Sequence, residues 1–415
     1  LENEKRSFVQ FNFKNIKDAE DFKLKINSYN LSEVINYAKE NNIQFNEFKE
    51  LTSNDVLEEI AEPLFNLNIN EQSKIIETSL AKHVIVLKSI LPSKQLNLSD
   101  IKENIKESII KIETDKGLIG WGEAFGYTSI ETTKAALKTM IIPHLIGKTI
   151  QTKNDILIIN KELHLKMHIF GRYGITMFAI SGIDIALWDL LGKAENKSIA
   201  DLLGGLQVNS LKAYASLFLY DNAEATSKVS LKAKNEGYEI IKLHENKMDP
   251  IKSSRSAIGE TALMVDVNCV WPEEYMEEII GILKEANLYW LEEPIWPPEN
   301  FEALNELRNI HDIPIAAGEN ACTAWQFSHM FKLGAVDYAQ PSVTKVGGLT
   351  EMNKISTLAE MENVNLQPHS PYFGPGFLAT LHVLAASSGN QPIERFYVNL
   401  DADMYENALE PTKGL

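Results

Sequence analysis

Residues 263–320 read LMVDVNCVWPEEYMEEIIGILKEANLYWLEEPIWPPENFEALNELRNIHDIPIAAGEN. Three short apolar runs, 263–267, 288–291 and 313–317, are separated by amphipathic helical patterns. Outward from this stretch the alternation continues. Similar runs fall at 211–218, 238–243, 336–339, 364–366 and around Ile393, all after Gly204-Gly205. Strand–helix alternation implies parallel strands joined by crossover helices. Eight such strands predict a closed (β/α) barrel. A doubly wound open sheet is the alternative, but no Gly-rich fingerprint follows the first strand.

Each run is followed by a polar residue: His244, Asp266, Glu292, Glu319, Ser342, His369 and Glu394, at intervals of 22 to 27 residues. That is the length of one βα unit, so these residues occupy one level of the barrel. They face its C-terminal mouth, where barrel enzymes do their chemistry. Three consecutive members, Asp266, Glu292 and Glu319, are carboxylates. Converging anions raise one another's pKa unless a cation sits among them. An all-oxygen set favours Mg²⁺ over Zn²⁺. Lys242 lies two residues before His244 and shares its side of the strand.

The flanking regions are less informative about chemistry. Residues 108–114 and 118–121 read as two strands about an Asp115-Lys116-Gly117 turn, and a helical pattern runs from 175 to 191. With 83–90 as a further strand, this predicts a small α+β domain over 81–205, a barrel over 206–400 and a C-terminal segment, 401–415, returning to the α+β domain. Residues 1–80 carry helical spacing at 31–38 and 56–64, with Pro63 ending or kinking the second helix. They are expected to form a helical extension of unknown role.

Acidic side chains outnumber basic ones 57 to 40, a formal charge of −17, so nucleic acid and acidic lipid are poor partners. Two cysteines, Cys269 and Cys322, exclude a disulfide framework and suit a reducing, cytoplasmic compartment. No apolar run is expected to reach a membrane span.

Together GRYGITMFAISGIDIALWDLLGKA (171–194), MVDVN (264–268), WLEEP (290–294), AAGEN (316–320), VGG (346–348) and IER (393–395) resemble the enolase superfamily, in its mandelate racemase/muconate lactonizing enzyme branch, over residues 83 to the C-terminus. The resemblance implies a (β/α)7β TIM-like barrel with an α+β capping domain, and an enzyme that removes the proton α to a carboxylate through an enediolate. It implies Mg²⁺ at Asp266, Glu292 and Glu319, with Glu293 in support. It implies Lys242 against a substrate carboxylate oxygen, a protonated Glu394 donating to the same carboxylate, and Asn268 at the substrate's α-substituent. A homo-oligomer and a small carboxylate substrate are implied as well.

Two positions depart from the family pattern. Its Lys-X-Lys reads Lys242-Leu243-His244, so the base is histidine, which a nearby cation is expected to keep neutral. Ser342 replaces both the Asp that orients the dyad histidine in the racemase and the base lysine of lactonizing types. Ser342 is expected at the substrate with Asn268, and His369 is then held by Ser342 or used as an acid. Lys345 reads as a structural lysine. A histidine on each side suits dehydration of a sugar acid; a racemase, epimerase or cycloisomerase is the alternative, and a metal-binding protein without turnover a third reading. Substrate selection is expected in a lid loop at 91–104 and a second loop at 126–128.

Overall fold

The computed structural model describes residues 4–52, 56–78, 81–91, 108–271, 276–387, 389, 391–398, 405, 411 and 414. The chain divides into two compact units, Leu1–Ile101 and Lys102–Leu415.

The first unit carries the helices read from sequence, Leu31–Glu40 and Glu58–Phe65, and a third at Ile16–Ile26. It also carries a sheet that the helical periodicity did not announce. Strands β1 (Lys5–Phe13), β2 (Phe45–Leu51), β3 (Ile76–Glu77) and β4 (Lys82–Leu91) pair antiparallel in the order β2-β1-β4-β3. One face of the sheet buries Val9, Phe11, Val84 and Val86 against Phe22, Ile26 and Val34 of the first two helices. The other buries Phe8, Ile85 and Leu87 against Ile60 and Leu64 of the third. The run at 83–90 is therefore a strand, but it belongs here and not to the capping domain. Its partner across nine residue pairs is β1, and the boundary expected at residue 80 moves towards Ile101.

In the second unit, β5 (Ile109–Glu113) and β6 (Ile119–Glu123) form the expected hairpin about Gly117, which has φ +76°. The hairpin lies on helix Ile175–Glu195. The contact is close because Gly120 and Gly122 lack a Cβ; one there would sit 2.2 Å from Ala186 O and 2.0 Å from Gly182 O. That helix has 21 residues and a mean hydropathy of 1.5 over its apolar window, so, against expectation, it matches a membrane span in length and composition. That window is instead 83% buried inside the protein, with the helix packed against the hairpin and the barrel helix Gly348–Met361.

The barrel strands are β7 (Ala213–Ser216), β8 (Ile240–Leu243), β9 (Ala262–Asp266), β10 (Trp290–Glu292), β11 (Ile315–Ala317), β12 (Tyr338–Ala339), β13 (Asn365–Leu366) and β14 (Ile393–Phe396). All eight coincide with the apolar runs of the sequence. Every pairing is parallel, and β14 returns to pair with β7, curling the sheet. A helix follows each strand but the last, which makes a (β/α)7β TIM-like barrel. Tyr214, Met264, Trp290 and Ala316 fill the interior below the mouth.

The hairpin end reaches the barrel mouth. Gly376 N donates to Glu123 at 2.8 Å and Tyr173 OH to Asn320 O at 2.6 Å. The lid loop expected at 91–104 lies outside the described residues, except Leu91 at the end of β4. Residues 127–129 form a short 3-10 turn with Tyr127 79% exposed. Of segment 401–415 only Tyr405, Pro411 and Gly414 are described; Gly414 O accepts from Ala213 N.

Candidate active site

The two-residue period of the strands decides what points inward. In β8, Ile240 and Lys242 face the barrel axis and Ile241 faces the helices. In β9 the inward pair is Met264 and Asp266, and in β10 it is Trp290 and Glu292. Register places Asp266 directly beside Glu292. Glu319 follows β11, just past Gly318.

One carboxylate oxygen from each of Asp266, Glu292 and Glu319 lies within 4.8 Å of the other two. Lys242, fully buried, sits among the acids from below. Its Nζ is 2.9 Å from Glu292, 3.0 Å from Glu394 and 3.3 Å from Asp266. Burial disfavours the ammonium, but the three carboxylates outweigh it and hold Lys242 well above the ordinary lysine range. Burial likewise opposes Asp266, yet Lys242 and His244 keep its carboxyl below the usual range. Glu292 is pushed well up by burial and by the charge of Asp266. Three carboxylates thus share one lysine, and adjacent Asp266 and Glu292 do not ionise together at low cost. The set is all oxygen, converging and short of positive charge, so Asp266, Glu292 and Glu319 fit a hard divalent cation.

Glu394 departs from its expected state. Burial raises it, but Lys242 and then His369 outweigh that and lower its pKa. Both oxygens accept: Oε1 from Ser216 Oγ at 2.8 Å and Oε2 from Ser370 N at 2.8 Å. It is an ionised acceptor that ties strand ends together, not a protonated donor.

The histidines differ in wiring. His244 Nδ1 bonds Leu217 O, and Nε2 lies 3.3 Å from Asp266. Burial lowers its pKa, but the bond to Asp266 outweighs that and raises it. His369 has Nε2 2.6 Å from Glu319, while its buried Nδ1 has no partner among the described residues. Burial opposes ionisation of Glu319, and His369 and Lys345 bring it down to about 2.

Ser342 does not hold His369. Its Oγ bonds Tyr372 OH and lies 3.3 Å from Thr344 Oγ1, and the residue is fully buried. Asn268 is exposed beside the mouth, with φ +47° and its N–H donating to Asp266 Oδ1 at 2.9 Å. Glu293 lies beside the cluster. Asn320 Nδ2 donates to both its oxygens, at 3.0 and 2.8 Å, and burial with Glu319 and Asp266 raises its carboxyl to about 8.

Sequence reasoning missed Tyr372, Asn320 and Glu123. Asn320 stands in the AAGEN motif, where its place after Glu319 was the available signal. Tyr372 and Glu123 had none, because their contacts cross 30 and 253 residues.

Residues 93–204 match the family described as mandelate racemase/muconate lactonizing enzyme, N-terminal domain, and 225–415 match enolase C-terminal domain-like. Residues 1–103 match the PPIC-type PPIASE domain. An arabinonate dehydratase of Saccharolobus solfataricus is 30% identical over 286 residues, 66% of this chain and 75% of that one. A D-galactarolactone cycloisomerase of Agrobacterium fabrum is 33% identical over 67% and 74%. The 3,6-anhydro-D-galactonate cycloisomerase structure from Zobellia galactanivorans superposes with a TM-score of 0.64 at 30% identity, covering 70% of this chain and 82% of its own.

Proposed function

Because the chain belongs to the mandelate racemase/muconate lactonizing enzyme family of the enolase superfamily, and is an enzyme of the lyase or isomerase type, we propose that it dehydrates a sugar acid, removing the proton α to the carboxylate.

The observation that carries this reading is the opposite wiring of the two imidazoles. His244 Nδ1–H donates to a backbone carbonyl, so Nε2, now 3.3 Å from Asp266, is the nitrogen that would accept the proton once Asp266 is engaged by the ion. His244 is therefore the base. His369 turns Nε2 to Glu319 and to the site. As an imidazolium it would give its Nε2 proton to the departing hydroxide and return to the neutral ring. One base and one acid suit elimination; racemisation asks both groups to act as bases in turn.

Asp266, Glu292 and Glu319 would hold Mg²⁺. Bound there, the ion supplies the positive charge that the substrate carboxylate and the enediolate require. Lys242 keeps the ligands together and adds positive charge from beneath. Asn268, exposed at the rim, contacts the α-substituent.

The test is a screen of sugar acids and their lactones with Mg²⁺ in D₂O. A keto product lacking one water is expected from at least one acid. His244→Asn should lose both α-proton exchange and product. His369→Asn should keep exchange and lose product. A product isomeric with its substrate establishes cycloisomerisation, the reaction named for two of the relatives, in which the leaving oxygen stays in the molecule. Exchange with no net product in the wild type refutes elimination.

A further inference from the structure

His369 has few restraints of its own. Its Nδ1 is bare, and its Nε2 contact is with Glu319, a residue assigned above as a ligand of the ion. Once Glu319 is so engaged, hydrogen bonding no longer fixes the ring about its Cβ–Cγ bond. Among the described residues, the aromatic contact that remains is with Tyr372. The two rings meet edge to face, with centroids 6.1 Å apart and planes at 88°. Tyr372 is itself anchored at both ends. Its N–H donates to Ser370 O at 2.7 Å in a tight turn, and Ser370 N is tied to Glu394. Its hydroxyl is bonded to Ser342, which lies beside Thr344, and both of these are fully buried.

We propose that Ser342 and Tyr372 form a clamp that positions His369. Tyr372 is the wall against the imidazole, and Ser342 fixes the wall. The clamp acts on the face of the ring and not on Nδ1. Ser342 acts through Tyr372 and touches neither the substrate nor His369. This rests on the reading of His369 as the acid, and it assigns a role to two residues that lie outside the acid–base pair.

The experiment is a double-mutant cycle on the full chain with Ser342→Ala, Tyr372→Phe and the double variant. Both substitutions remove the hydroxyl bond and keep the surrounding volume. Loss of positioning by a fraction of an ångström is expected to lower kcat about 10-fold in each single variant, with KM within about twofold. The double variant should be no slower than either single one, because the pair acts as a unit. Multiplicative losses, a rise in KM for Ser342→Ala, or wild-type rates in either variant would overturn the clamp. A second readout needs no turnover. With ring-labelled histidine, the His369 signal, assigned by its loss in His369→Asn, should shift or broaden alike in both single variants while that of His164 stays put. An unchanged His369 signal overturns the clamp even if no substrate is found. A wild type inert towards every acid, with the His369 signal responding, refutes the dehydratase reading and leaves the clamp standing.

Discussion

Lys242 is the residue on which the site's charge balance turns. It is fully buried and within 3.3 Å of three carboxylates. Removing one partner of a buried ionic cluster leaves the other charges uncompensated, at a cost of about 3–5 kcal/mol. Lys242→Met should therefore lower the thermal unfolding midpoint markedly in metal-free buffer. Saturating Mg²⁺ should restore part of the loss, since a ligand of the native state stabilises it. A midpoint unmoved by the substitution would mean the lysine does not neutralise the acids. The acids were legible because a parallel barrel repeats its strand ends at the interval of one βα unit. Their protonation was not. It depends on Ser216 and Ser370 beside Glu394, and on Leu217 beside His244, contacts that no spacing encodes.

At the scale of elements, the hairpin end and the barrel meet through Glu123 and the helix Pro375–Ala386. Burial raises the Glu123 carboxyl to about 7, and the Gly376 N–H only partly offsets it. The folded state then holds a proton that the unfolded chain has released between about pH 4.5 and 7. Stability from this group is complete below that window and is lost as pH rises through it, by about 3 kcal/mol. Glu123→Gln keeps an acceptor for Gly376 and removes the titration. Its unfolding midpoint should exceed that of wild type above pH 7 and vary less between pH 4.5 and 7. Parallel pH curves would contradict this. Strand β1 shows why elements can hide. Val9, Phe11 and Phe13 alternate with Gln10 and Asn12, a period-two signal that the helical reading of residues 1–80 passed over, while Phe8 beside Val9 packs on the opposite face. The eight barrel strands were legible because turns and helices bracket each short apolar run.

Across the whole molecule the chain holds two units with separate hydrophobic cores. The family matches change over between residues 93 and 103, close to the boundary at Ile101. Separate cores predict two transitions in scanning calorimetry, only one of which rises with Mg²⁺, by about 2.7 kcal/mol at a hundredfold excess over Kd. A single transition that moves as a whole would contradict independent units. The charge of −17 makes the remaining demand plain. A small carboxylate substrate would approach an anionic protein, so attraction would have to arise locally, from the proposed ion with Lys242 beneath it and from Lys345 near Glu319.

The proposed chemistry turns on the ion, and a bound ion can be located directly. Crystals grown with Mn²⁺ in place of Mg²⁺ would be measured for anomalous scattering at the manganese edge. One strong peak is expected, bonded to carboxylate oxygens of Asp266, Glu292 and Glu319 together, and absent in Asp266→Asn. No peak at saturating Mn²⁺, or one that leaves any of the three acids uncoordinated, would contradict the proposed chemistry at its root.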